Sequence, residues 1–123
     1  MSLQASLVDN GQTGLSIGGE WRASSDGGTF DVLDPATAQP IATAASGTAD
    51  DARSAVEAAA AAALAWSATS PQRRSELLRR GFELMIARRD ELGELIVAEM
   101  GKPLSEAKGE ATFAAEVLPL VLG

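Results

Sequence analysis

Glu99-Met100-Gly101-Lys102-Pro103-Leu104-Ser105-Glu106-Ala107-Lys108-Gly109-Glu110 closes one helix and opens the next. Glycine at 101 can take the left-handed backbone that ends a helix. Proline at 103 suits a first helical position, where its missing N–H leaves nothing unpaired. The Gly-Lys pair invites comparison with a phosphate-binding loop, which needs a glycine five residues before its Gly-Lys and Ser or Thr after the lysine. Ile96 and Pro103 hold those places. The stretch is a turn between helices.

Working backwards from the joint, Asp90 is placed to cap a third helix carrying Leu92, Leu95 and Ile96 and ending at Gly101. Ser70-Pro71 reads as the N-cap and first-turn pair of a second helix, with Leu78, Phe82, Met85 and Ile86 on one face. A first helix opens at Thr48, where Thr48 with Asp51 resembles a capping box and Asp50 and Asp51 suit the positive helix start. Its stripe, Ala52, Ala55, Val56, Ala59, Ala63 and Trp66, predicts an ordered helix packed close to a neighbour. Beyond the joint, a fourth helix from Pro103 carries Leu104, Ala107, Ala111, Ala114, Ala115 and Leu118, and Pro119 is expected to interrupt it.

Before Thr48 the period is two. Leu15, Ile17 and Trp21 alternate around Gly18-Gly19, Phe30 and Val32 alternate with Thr29 and Asp31, and a third run covers Pro40 to Ala44. Three short strands on this spacing predict a small antiparallel ribbon, which is marginal alone and normally lies on something larger. Residues 1–14 are polar and aperiodic and read as a loose tail.

The 123-residue length suits one small domain, and the formal net charge of −7 argues against a nucleic-acid partner. The basic cluster Arg73, Arg74, Arg79, Arg80, Arg88, Arg89 is diluted by Glu76, Glu83, Asp90 and Glu91 and reads as a solvated helix face. With no Cys and no His, the chain has no thiol nucleophile, imidazole base or disulfide. No apolar run is long enough to span a bilayer, so the sequence is read as cytoplasmic, with no membrane partner. The Gly18-Gly19 and Gly27-Gly28 pairs do not make the Gly-x-Gly-x-x-Gly opening of a dinucleotide fold. The residues assign no catalytic and no cofactor-binding side chain.

The wording of the chain says more. Ile17-Gly18-Gly19-Glu20-Trp21, Phe30-Asp31-Val32-Leu33-Asp34-Pro35-Ala36-Thr37, Ser70-Pro71-Gln72-Arg73-Arg74, Arg89-Asp90-Glu91-Leu92 and Glu99-Met100-Gly101-Lys102-Pro103-Leu104 occur in order. Together with Asp50-Asp51, Ala58-Ala59 and Ala65-Trp66, they resemble the opening of the aldehyde dehydrogenase superfamily. The segment 101–110 is most like the succinate-semialdehyde dehydrogenase branch. The resemblance implies an α/β fold of that family, of which this chain is an N-terminal antiparallel β-ribbon followed by about four helices. Residues 15–116 are that N-terminal part, and 117–123 read as a divergent end, as after a frameshift or premature stop.

The activity the resemblance implies is NAD- or NADP-dependent oxidation of an aldehyde, succinate semialdehyde above all, to its acid. The family's cysteine nucleophile, its glutamate and its cofactor-binding segments lie downstream of the matched region. The chain is therefore expected to be a truncated piece, to bind no cofactor and to be inactive alone. Its expected partners are the missing C-terminal part or other copies in the full-length family. Two family features fall inside it: a structural monovalent-cation site at Val32, Leu33 and Glu99, and a substrate-tunnel wall at Phe113. Read without the resemblance, Val32-Leu33 is a strand end, Glu99 a surface carboxylate and Phe113 a core aromatic. Large apolar side chains lacking their partner surface each forgo about 1.5–3 kcal/mol, which predicts a molten, aggregating or partner-seeking chain. The alternative is a non-catalytic acidic helical interaction module that folds by itself.

Overall fold

Gly18 and Gly19 both adopt positive φ, 65° and 87°, the conformation that a two-residue hairpin turn demands at both central positions. Strand β1 (Leu15–Ile17) therefore turns directly into β2 (Glu20–Arg22), and the two pair antiparallel with Ile17 opposite Glu20. Strands β3 (Thr29–Leu33) and β4 (Pro40–Ala45) form a second antiparallel pair, irregular at Val32/Leu33. The expected strands are thus present as two separate hairpins rather than one three-stranded ribbon. The glycine turn splits the first apolar run into two strands.

The computed structural model describes residues 13–120, and the side chains of 13–118. The expected loose tail lies outside the described residues except for Thr13 and Gly14, as do the last three residues of the divergent end. Helices α1 (Ala49–Ala68), α2 (Pro71–Ala87), α3 (Arg89–Met100) and α4 (Leu104–Leu120) follow the strands. Antiparallel strands followed by four helices is the architecture expected from the sequence. None of the helices is long and apolar enough to cross a membrane.

The chain forms two compact units, Met1–Ala68 and Thr69–Gly123. In the first, the two hairpins are joined by the Ala45 N–H donating to the Thr13 carbonyl at 2.8 Å. The start of α1 lies against β1, with Gly47 beside the Leu15 side chain and Ala58 beside Gly18. Beyond Ala58, α1 is exposed throughout, Leu64 and Trp66 included. Of the predicted stripe only Ala55 is half-buried, with Ala58 outside the stripe packed beside it, because β1 spans three residues and the helix twenty.

In the second unit, Ser70 caps α2, accepting from the Arg73 N–H at 3.2 Å, with Pro71 at the first turn. A single residue, Arg88, ends α2 and begins α3; its N–H is given to Leu84 at 3.0 Å. That junction leaves no extended residue to serve as a side-chain cap. Asp90, expected to cap α3, instead sits in its first turn facing Arg89 and Lys108 at 3.0 and 3.2 Å. Gly101 ends α3 with φ 71° and donates to the Val97 carbonyl at 2.8 Å. Pro103 immediately precedes α4, and its carbonyl accepts from Glu106 and Ala107, both at 3.0 Å. Helix α4 continues through Pro119 to Leu120. The proline forfeits its own N–H bond, but its φ is itself helical, so the backbone carries on where an interruption was expected.

The buried apolar residues of this unit are small: Ala98, Ala107, Ala111 and Ala115, with Gly93 also buried. Alanines at four-residue spacing give α4 one smooth buried face, and the helix packs on both α2 and α3. No large side chain among the described residues is fully buried.

Candidate functional site

The joint brings together Gly101, Lys102 and Pro103 between α3 and α4. Lys102 is ion-paired to Glu110 two turns along α4, so its ammonium is neutralised locally. Gly18 and Gly19 connect two strands rather than a strand and a helix. The Gly18-Gly19 pair therefore lacks the helix start that a dinucleotide phosphate fingerprint requires.

Val32 is half-buried in β3, Leu33 is 48% exposed at its end, and Glu99 is exposed on α3. Pro40 stands opposite Leu33 and has no N–H to give to the strand end. Carbonyl oxygen there is of the kind a hard monovalent cation takes. Val32 and Leu33 belong to the first unit and Glu99 to the second. Among the described residues, no three His, Cys, Asp or Glu side chains group as a metal site.

Phe113 is 70% exposed. It lies two residues past Ala111, on the opposite side of α4 from the buried alanines. It is therefore no part of the core of this chain. Glu106 and Val117 share its exposed face.

The densest polar constellation gathers around the Thr48–Asp51 capping box. Asp51 is 4% exposed. Its Oδ2 accepts from the Thr48 N–H at 2.9 Å and the Ser25 N–H at 3.1 Å. The hydroxyls of Thr48, Ser25 and Ser24 surround the same oxygen at 2.9, 3.1 and 3.2 Å. Arg22 Nη2 stands 3.7 Å from the other oxygen, Oδ1. The Asp51 N–H donates back to Thr48 Oγ1 at 3.2 Å, which completes the capping box. The Thr48 and Ser25 N–H groups, with the hydroxyls, hold the Asp51 carboxyl well below the ordinary carboxylate range. The box itself was legible at i, i+3; the Ser24-Ser25 pair, remote in sequence, was not.

An open groove of about 290 Å³ runs beside this carboxylate, lined by Leu15, Ile17, Ala52 and Ala55 among others. Its acid is already hydrogen-bonded on Oδ2 and paired on Oδ1, so it has little left to offer a ligand. The Asp51 cluster is structural. It pins the β2–β3 loop to the start of α1.

A model of the aldehyde dehydrogenase family matches residues 21–123. The glutarate-semialdehyde dehydrogenase of Pseudomonas putida KT2440 is 45% identical over 102 residues, which are 83% of this chain and 21% of that protein. The NADP(+) succinate-semialdehyde dehydrogenase of Escherichia coli K12 is 39% identical over 102 residues, again 83% of this chain and 21% of that protein. The solved structure of Staphylococcus aureus betaine aldehyde dehydrogenase in complex with NAD+ superimposes with a TM-score of 0.91 at 26% identity, covering 100% of this chain and 25% of that one. The chain spans about a fifth of the length of the curated relatives it matches.

Proposed function

The chain belongs to the aldehyde dehydrogenase family, and we propose that it supplies the N-terminal scaffold of an NAD(P)-dependent semialdehyde dehydrogenase. The observation that carries this reading is identity of 39–45% over 83% of the chain to enzymes of two related substrates, glutarate and succinate semialdehyde. Both are short aldehydes ending in a carboxylate, and that class is the proposed substrate. The resemblance implies an aldehyde, succinate semialdehyde above all; a relative named for the glutarate compound adds a second member of the class.

With no cysteine and no histidine in 123 residues, this chain has no thiolate to attack an aldehyde carbon and no imidazole to move its proton. Those steps, and cofactor binding, belong to parts of the family fold beyond this segment. The segment contributes packing surface. Phe113 is the proposed tunnel-wall residue, and the Val32 and Leu33 carbonyls with Glu99 the proposed monovalent-cation ligands. A cytoplasmic location and assembly into oligomers go with this reading.

The test is an assay of NAD+- and NADP+-linked oxidation of succinate and glutarate semialdehydes by the purified chain, alone and mixed with a relative from which this segment has been deleted. No turnover alone and turnover on mixing is the expected pattern; turnover by the chain alone overturns the scaffold reading. The cation ligands are tested in the reconstituted enzyme by Glu99→Gln, which should abolish any potassium-dependent rise in thermal midpoint. An unchanged potassium response rejects Glu99 as a ligand. The rival reading, an acidic interaction module, draws on the exposed Val56, Leu64 and Trp66 of α1. It requires full stability without any dehydrogenase partner.

A further inference from the structure

Asp26-Gly27 is the one Asp-Gly step in the chain, and both residues are exposed in the loop between β2 and β3. Such a step is open to a spontaneous rearrangement, because glycine leaves its backbone nitrogen unhindered. That nitrogen attacks the aspartate Cγ, a C–N bond forms, and one water is lost to give a five-membered succinimide. Water then adds to either ring carbonyl, giving back aspartate or leaving isoaspartate, in which the main chain runs through the side-chain carbon. One water leaves and one returns; no other reactant is needed.

The folded loop engages both reacting groups in other bonds. The Gly27 N–H, whose nitrogen is the nucleophile, donates to the Ser24 carbonyl at 2.9 Å. The electrophile is held too: Asp26 Oδ1 accepts from the Gly28 N–H and the Ser24 hydroxyl, both at 2.8 Å. Gly28 is needed for this, since a Cβ there would lie 2.9 Å from that oxygen. These bonds also keep the Asp26 carboxyl ionised, the Gly28 N–H foremost and then Ser24, and a carboxylate is a poor electrophile. Ser24 is buried, and its neighbour Ser25 is held to Asp51 through its N–H at 3.1 Å.

We propose that Asp26-Gly27 is a site of spontaneous isoaspartate formation gated by the Ser24–Asp51 clamp, closed while the loop is pinned to α1 and released when it opens. The product cannot re-close the clamp. An extra backbone carbon at Asp26 displaces Gly27 from Ser24 and Gly28 from its paired position, where its carbonyl accepts from the Ser46 N–H at 2.9 Å. The modification thus converts a transient opening of the first unit into a permanent one.

The test incubates the 123-residue chain at neutral pH in buffer and in concentrated urea. Isoaspartate in the tryptic 23–53 peptide is followed by mass spectrometry and by labelling with isoaspartyl methyltransferase. Formation in buffer is expected to be at least about tenfold slower than in urea, as for chemistry that waits on local opening. Ser24→Ala should speed it in buffer while helix content stays, and Asp26→Glu should abolish it. Equal rates in buffer and urea overturn the proposal, and so does a folded Ser24→Ala chain that reacts no faster than the unaltered one.

Discussion

At Asp51 a single carboxylate replaces what a larger core would do. Each donor around it, two backbone N–H groups and the neighbouring hydroxyls, favours the charged form, so its folded pKa lies below the unfolded value near 3.8. The sign follows directly. A depressed acid contributes stability that is complete above the unfolded pKa and is lost as pH falls toward the folded one. The first unit should therefore hold its fold down to about pH 5 and unravel progressively below about pH 4, as far as Asp51 governs it. Arg22 and Asp26 are the other charged groups around the clamp, and Asp26 is depressed in the same direction, chiefly by the Gly28 N–H. Acid titration followed by Trp21 and Trp66 fluorescence checks this, and in Asp51→Asn the acid transition should flatten. Thr48→Ala removes the cap oxygen and should cost about 1 kcal/mol, within the 0.5–2 found for such caps, read as a shift in urea midpoint. Among the described residues no buried side-chain nitrogen or oxygen lacks a partner.

Pairing of α3 with α4 rests on small residues, and two glycines show opposite sides of that arrangement. A Cβ on Gly93 would lie 2.8 Å from Lys108 Cγ and 3.3 Å from its backbone nitrogen. Gly93→Ala should therefore force the helices apart, at a cost of about 1–3 kcal/mol as for other overpacked contacts. Gly109 has nothing within 4 Å of its Cβ position, so Gly109→Ala should stabilise α4 by roughly 0.5–1 kcal/mol. Urea midpoints of the two variants settle both; a neutral Gly93→Ala would mean the helices are free to separate. The Asp90–Lys108 contact at 3.2 Å ties the same two helices. Asp90 is depressed, first by Arg89 and then by Lys108, and at the surface such pairs add little to stability. The Ser70 cap and the Gly101 stop were legible because capping is local. The Asp90 cap was misplaced because a one-residue junction between α2 and α3 is a property of the backbone path.

For the molecule as a whole, the balance of exposure decides behaviour. Trp21, Phe30, Leu64, Leu84, Met100 and Phe113 are all more than half exposed, while the buried apolar residues are alanines. Alanine adds little burial, so the two units should be marginal in isolation. The purified chain should bind a hydrophobic dye and gain mass with concentration in sedimentation, and both should diminish when the remaining part of a related dehydrogenase is supplied. A monodisperse monomer with a sharp reversible melt would favour the interaction-module reading instead. What the sequence by itself determined is the succession of elements and the family, because periodicity, caps and turn glycines act over a few residues and the motifs keep their order. What only the tertiary structure decided is which of those elements have partners. It closed the first strand run into its own hairpin, left most of the stripe of α1 bare and turned Phe113 outward. It also joined Ser24 and Ser25 to Asp51. Such contacts depend on surfaces brought together from distant parts of the chain, and local pattern carries no record of them.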